Sequence, residues 1–315
     1  MPGGGPLRLP AAGQRPWDAV CLGLNASDHL CLIPRYPRRG SKIRMRRMVN
    51  SGGGQAATAA CALARLGHRV SYAGVVGDDE AGGLAGPRLA GFGVDTGSLV
   101  VKLGLGSQEA FILVEEQGGE RTIVWTRDEA CRLEPGDLDR ERLASCRLLH
   151  LDGHFMAASL EAARIARAAG AVLTLDAERI EPGTAELVSL CHVVVGQHDF
   201  AQRLTGKDDP REALEALAAM GPLWAGRTRG EGGAQMLAEG ELASHPGFAV
   251  EAVDTTGAGD VFHAGLAHAV LLGQGPREAL ATACALAAIS VTALGGRTAL
   301  PDRPGLESFL RERSA

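Results

Sequence analysis

The sequence predicts an α/β fold: three layers, α/β/α, around a mostly parallel central sheet, with a small β-sheet lid. Three observations predict it. Short Val- and Leu-rich runs alternate with Ala- and Leu-rich segments at helical spacing, the pattern of a parallel sheet covered on both faces. Two stretches, 31–50 and 102–126, break that rhythm and are expected to form the lid over one edge of the sheet. The 315 residues are 45% hydrophobic and 22% charged, which suits a full-sized core and excludes disorder and collagen.

Along the chain, residues 1–16 carry no apolar core of signal-peptide length and are expected to be a disordered tail. The α/β body is expected over 17–30, 51–101 and 127–315, as one domain with a lid. Residues 18–24, 70–76, 148–152, 171–176, 192–195 and 223–228 read as strands, and 55–66, 81–91, 159–169 and 210–220 as helices. The last helix opens on Asp209-Pro210-Arg211-Glu212, an N-cap followed by proline at the first position and glutamate at the third. Lid residues 102–126 alternate as strand, turn and strand around Glu116-Gln-Gly-Gly119. The uncharged run 279–296 is rich in Ala with Thr, Ser and Cys, and reads as a buried helix running into a short strand rather than a membrane span.

The net charge of −5 conceals an asymmetry. Between His29 and Gly77 there are nine basic side chains and no acid, leaving 23 basic and 37 acidic residues elsewhere. Seven cysteines, scattered and never spaced C-x-x-C, disfavour a disulfide framework or zinc knuckle and fit a reducing cytoplasm. There is no G-x-x-x-x-G-K-[ST] and no G-x-S-x-G, and Gly104-Leu-Gly106 lacks the third glycine of a dinucleotide fingerprint. His150 and His154 flank a strand end without further metal donors, and Asn25-Ala-Ser27 is a formal glycosylation site that a cytoplasmic protein would ignore.

The chemistry concentrates in Asp254-Thr-Thr-Gly-Ala-Gly-Asp260, which precedes an apolar helical stretch. Glycines before a helix leave N–H groups free for an anion, and the helix dipole adds positive potential. Asp260 in the first turn makes sense as the acceptor of a proton from a hydroxyl that attacks a phosphoryl group. Taken alone, the segment reads equally well as a capped helix after a Gly-rich turn.

Residues 254–265, DTTGAGDVFHAG, resemble the C-terminal signature of the ribokinase-like carbohydrate kinases, the PfkB family. Gly53 to Gly67, GGQAATAACALARLG, is similar to the family's N-terminal Gly-Gly segment and following helix. Val76-Gly-Asp-Asp79, Gly119-Glu-Arg-Thr122, Thr228-Arg-Gly-Glu-Gly-Gly233 and Gly295-Gly-Arg297 extend the resemblance in family order from about Asp18 to Pro301. It implies an ATP-dependent sugar kinase with Mg²⁺, and a monovalent cation such as K⁺. Asp260 matches the catalytic base, and Gly257, Ala258 and Gly259 the hole for the transferring phosphoryl group. Thr228 and Gly230 match the T-x-G along the nucleotide. Asp28, five residues after Gly23, matches the carboxylate that holds acceptor hydroxyls, and Gly53 and Gly54 the glycines where the acceptor meets backbone. The resemblance also implies a homodimer through the lid.

The sequence departs from the family at three places. Thr58 stands where an asparagine commonly touches the acceptor. The magnesium-linked N-x-x-E aligns with Gln197-His-Asp-Phe200, leaving Asp199 as the sole metal candidate. Arg227 occupies a strand position that is usually apolar, where an unpaired guanidinium is costly. Seven cations between Arg35 and Arg47 have two equally weighted readings: a lid that faces an anionic acceptor (a sugar phosphate, sugar acid or sulfonated sugar), or a solvated or subunit-contacting face. Nucleic-acid binding is disfavoured by the pI of about 6.0 and by the lack of interleaved aromatics other than Tyr36. A nucleoside kinase of the same fold and a catalytically idle sugar- or nucleotide-binding regulator are the alternatives.

Overall fold

The computed structural model describes residues 7–313. In chain order the elements are β1 (Trp17–Leu22), β2 (Ala26–Ile33), β3 (Arg47–Gly53), α1 (Gln55–Arg65), β4 (Val70–Gly77), α2 (Glu80–Ala90), β5 (Asp95–Lys102), β6 (Glu109–Glu115) and β7 (Arg121–Thr126). There follow α3 (Arg140–Ala144), β8 (Cys146–Leu151), α4 (Met156–Ala168), β9 (Val172–Ala177), α5 (Thr184–Leu190), β10 (Val193–Gly196), α6 (Phe200–Thr205) and α7 (Pro210–Ala219). The chain closes with β11 (Trp224–Thr228), β12 (Ala234–Ala238), β13 (Glu241–His245), α8 (Ala258–Leu271), α9 (Pro276–Ser290) and α10 (Arg303–Arg313).

Nine strands form the main sheet in the order β13-β12-β11-β10-β9-β8-β1-β4-β5, parallel from β11 to β5 and antiparallel at β12 and β13. Because strand side chains alternate between faces, β1 feeds two cores. Ala19 and Cys21 pack with α1, α8 and α9, while Val20 and Leu22 pack with α4, α5 and α7. These are the two helical layers that a two-sided parallel sheet requires. Asp209 caps α7 by accepting from the amides of Arg211 and Glu212, both at 2.9 Å. All seven cysteines are free and buried, and among the described residues no helix is long and apolar enough to cross a membrane.

The lid is a four-stranded sheet in the order β3-β2-β6-β7. It takes more of the chain than 31–50 and 102–126: β2 begins at Ala26 and β3 runs to Gly53, since the pairing Ala26↔Gly53 to Leu32↔Arg47 is continuous. Two further expectations are corrected. Residues 7–16 are no free tail: Leu7 and Leu9 pack on the core, Arg147 Nε donates to the Pro10 carbonyl at 2.8 Å, and Arg15 donates to the carbonyls of Cys146 and Ala169. Residues 1–6 of the expected tail lie outside the described residues. No strand follows α9: residues 291–299 turn, because Val291 O accepts from the amides of Val253 and Asp254 and the Gly295 amide goes to a carboxylate of Asp254, leaving no sheet neighbour to pair with.

Candidate active site

Between the lid and the C-terminal ends of the main-sheet strands lies a cleft of about 410 Å³. That is where open parallel sheets offer room, beyond the strand ends where helices begin. Of the residues singled out from sequence, Asp28, Gly53, Gly54, Thr58, Thr228, Gly257, Gly259 and Asp260 all line it. Ala258 sits in the first turn of α8 and Gly230 at a turn with φ +56° beyond Thr228, both outside the lining. Asp199 is also outside, at the start of α6 with its carboxylate 3.2 Å from Arg203 Nε.

One wall is built from the lid and α1. Asp28 stands on β2 and points at Gly53 across the β2–β3 pair. A Cβ on Gly53 would fall 2.0 Å from Asp28 Oδ2, so only glycine lets the carboxylate reach this place. Gly54 has φ +88°, and a Cβ there would meet the Leu24 carbonyl at 2.4 Å. The buried Arg297 fixes this wall from behind: Nη2 donates to the Gly53 carbonyl at 2.5 Å and Nε to Thr58 Oγ1 at 3.1 Å. The Thr58 hydroxyl, in place of an asparagine amide, is thus tied to Arg297. Burial pushes the Asp28 carboxyl up to about 6, against the lowering influence of Arg297.

The opposite wall is the N-terminus of α8. Gly257, with φ +74°, is its N-cap, and no side chain caps the helix, so amides of the first turn face the cleft. Asp254 braces the approach: Oδ1 accepts from the Thr256 amide at 2.9 Å and hydroxyl at 2.7 Å, and Oδ2 from the Gly295 amide at 2.8 Å. Asp260 accepts no hydrogen bond from the described residues, and enclosure together with the nearby Asp176 carboxylate raises its pKa well above the ordinary value. Burial also pushes Asp176 up, but the attraction of His263, 3.1 Å away, outweighs it and leaves that carboxyl below its usual range.

Several residues that line or brace the cleft were not singled out from sequence. Gln55 opens α1 and donates from Nε2 to Glu178 Oε2 at 2.9 Å, while its Oε1 meets His154 Nε2. Asp152 accepts from the amides of Leu24, Ala56 and His154, at 2.7, 3.2 and 3.0 Å, and so ties the ends of β1 and β8 to the start of α1. Arg121, Arg127 and Arg179 also line the cleft, as does an apolar strip of Ile112, Ile123 and Trp125 from the lid. The seven basic side chains from Arg35 to Arg47 are all exposed and none reaches it. Arg227 finds its partner on the neighbouring strand, donating from Nε and Nη2 to Gln235 Oε1 at 2.9 and 2.7 Å.

Among the described residues no cluster of three or more His, Cys, Asp or Glu side chains could hold a metal by itself. The donors fit a magnesium ion carried on nucleotide phosphates, which needs one or two carboxylates and otherwise water. Asp176 and Glu178 supply those at the cleft.

The sequence is 27% identical over 305 residues to a ribokinase of Haemophilus influenzae, covering 92% of this chain and 97% of that protein. It is 29% identical over 321 residues to an ATP-dependent ribose-1-phosphate kinase of Halopiger xanaduensis, covering 98% and 99%. The fold superposes on the crystal structure of a putative ribokinase from Agrobacterium tumefaciens with a TM-score of 0.85 at 29% identity, over 95% of this chain and 98% of that one. Residues 19–303 match the pfkB family carbohydrate kinases, and this chain belongs to that family of phosphotransferases with an alcohol acceptor.

Proposed function

We propose that the protein transfers the γ-phosphoryl group of ATP to a hydroxyl of a sugar bound between Asp28, Gly53 and Gly54. The observation that carries this reading is the placement of Asp260: an enclosed carboxylate without a protein hydrogen-bond donor, in the first turn of an uncapped helix, in the same cleft as Asp28. Asp260 takes the hydroxyl proton as the acceptor oxygen bonds to phosphorus, and the phosphorus–oxygen bond to the nucleotide breaks with its electron pair leaving on ADP. Its raised pKa makes it a better proton acceptor than an ordinary aspartate. The amides of Gly259 and its neighbours, with the helix dipole, stabilise charge on the phosphoryl oxygens. Arg121, whose Nη1 donates to Thr255 Oγ1 at 2.7 Å, adds a cation from the lid side. Thr228 and Gln197, which also line the cleft, are assigned to the nucleotide in this reading. Magnesium, when bound, neutralises charge on the phosphates, with Glu178 as the available carboxylate.

Asp260→Asn tests this directly. It removes the base and leaves the shape, so kcat in an ADP-release assay should fall by about 10²- to 10⁴-fold with nucleotide affinity within twofold. Turnover near the parent value would remove Asp260 from that role. Because two relatives are a ribokinase and an ATP-dependent ribose-1-phosphate kinase, a pentose, free or phosphorylated, comes first in the acceptor panel. The apolar strip of Ile112, Ile123 and Trp125 favours one second reading, a nucleoside acceptor whose base stacks there, so adenosine and guanosine belong in the same panel. Dependence on K⁺ belongs to the kinase reading and is read by replacing it with choline. A homodimer through the lid is supported by its outer face, where Met48, Phe111 and Val124 are exposed, and sedimentation velocity tests it.

A further inference from the structure

Gln55 is the first residue of α1, directly after the two glycines of the acceptor wall, and its side chain meets three ionisable groups at once. Nε2 donates to Glu178 Oε2 at 2.9 Å and lies 3.4 Å from Asp176 Oδ2, while Oε1 meets His154 Nε2. The orientation of the amide follows from these partners: ionised carboxylates only accept, so the amino end faces them and the carbonyl end faces the imidazole. Both sides of the bridge are set by one buried carboxylate, Asp152, which accepts from the Ala56 amide beside Gln55 at 3.2 Å and from the His154 amide at 3.0 Å. On the far side, His263 Nε2 lies 3.1 Å from Asp176 Oδ1, and Arg203 Nη2 donates to the main-chain carbonyl of Glu178 at 3.0 Å. The carboxylate of Glu178 itself is held, among the described residues, by Gln55 alone.

Resting on the kinase reading above, we propose that Gln55 is a positioning residue for the divalent cation of the nucleotide, holding Glu178 beside Asp176 as the carboxylate pair that receives it. Two carboxylates brought to one place repel, and a flexible glutamate beside an anchored aspartate swings away unless one group donates to both. An amide does this without adding charge, so the joint negative charge of the pair stays available to a cation. A lysine at the same place would hold the carboxylates but neutralise them, and a glutamate would add a third like charge. Outer partners that orient the carboxylates around a metal set its affinity. The amide of Gln55 is committed at both ends, to the carboxylates and to His154, so its effect falls on the cation and not on the acceptor. The start of α1 thus serves the acceptor through Gly53 and Gly54 and the cation through the next residue.

The test titrates Mn²⁺ into the equimolar complex of the protein with a non-hydrolysable ATP analogue and counts free Mn²⁺ by electron paramagnetic resonance, for the parent, Gln55→Met, Gln55→Ala and Glu178→Gln. Methionine keeps the length of the side chain and loses both polar ends. Both Gln55 changes should weaken Mn²⁺ binding by about 10- to 100-fold, the range for losing an outer partner of a metal ligand. Affinity for the analogue in EDTA should stay within twofold, which also shows that the variants are folded. In the ADP-release assay the same variants should need correspondingly more magnesium for half-maximal rate, and raised magnesium should recover the lost rate, with KM for the acceptor within twofold. Mn²⁺ binding equal to the parent's in Gln55→Met, with Glu178→Gln weakened, overturns the role of Gln55 and leaves Glu178 at the cation. Binding equal to the parent's in Glu178→Gln takes the cation away from this pair and overturns the proposal with it. An acceptor KM that rises while Mn²⁺ binding holds makes Gln55 an acceptor contact, and likewise overturns it. Weakened Mn²⁺ binding in the Gln55 variants upholds the positioning role even where no sugar is phosphorylated, in which case the kinase reading fails alone.

Discussion

Gly259→Ala separates what the α8 N-terminus does for folding from what it does for chemistry. Gly259 occupies the second helical position, and an added Cβ there would have no heavy atom within 4 Å, since that side opens into the cleft. For folding the methyl is therefore favourable: replacing a helical glycine by alanine gains about 0.5–1 kcal/mol by restricting the unfolded chain. In a protein of this size that raises Tm by roughly 1–3 °C. For chemistry it is harmful. A phosphoryl oxygen must come within about 2.7–3.1 Å of the amides it is stabilised by, and the methyl stands in that approach. Losing one such donor costs about 10²- to 10³-fold in kcat. The expected variant is slightly more stable and severely slowed, measured by thermal melting monitored by circular dichroism and by ADP release under saturating substrates. Turnover within threefold of the parent, at equal or higher Tm, would show that no phosphoryl group sits against this helix.

Asp28→Asn should likewise gain stability while losing function. With its carboxyl raised from 3.8 unfolded to about 6 folded, the folded state holds the proton more tightly, so stability present below pH 4 is lost as pH rises toward 6, up to about 3 kcal/mol. The neutral amide avoids that loss: the variant should melt about 4–8 °C above the parent at pH 7.5 and level with it at pH 4, while KM for the acceptor rises about 10- to 100-fold. An unchanged acceptor KM would take Asp28 out of the acceptor site. Arg297→Ala should destabilise the protein by about 2–4 kcal/mol, because the buried Gly53 carbonyl and Thr58 hydroxyl lose their donor together. A denaturant midpoint equal to that of the parent would show that the wall around Gly53 stands without it.

What was legible in the sequence is what is local. DTTGAGD is contiguous, and the glycines that must lack side chains sit beside the aspartate they serve, so the phosphoryl end could be read directly. The same holds for the Asp209 cap and for the period-two split of β1 between two cores. Long-range register was not legible. That Asp28 faces Gly53 follows only from the pairing of β2 with β3, and Arg227 reads as unpaired until β12 sets Gln235 opposite it. The half-exposed edge strand β5 carries too weak an alternation to announce itself. The charge in 35–47 is dense in sequence yet faces water, whereas Arg127, isolated in sequence, reaches the cleft only because β7 ends there.

The carboxylates in and behind the site fall into two kinds, and the difference explains their roles. Asp152 and Asp254 are surrounded by amide and hydroxyl donors from loops far apart in sequence. A carboxylate satisfied in this way costs little to bury and cross-links the strand ends, which fixes the loops on either side of the cleft. Asp28 and Asp260 receive no such donors from the described residues, and both are held above the ordinary carboxylate range with burial as the leading cause. A fold optimised only for stability would replace them or cap them. Their retention in that state implies that the missing donors arrive with the substrates: acceptor hydroxyls at Asp28, and at Asp260 the hydroxyl proton that the reaction removes.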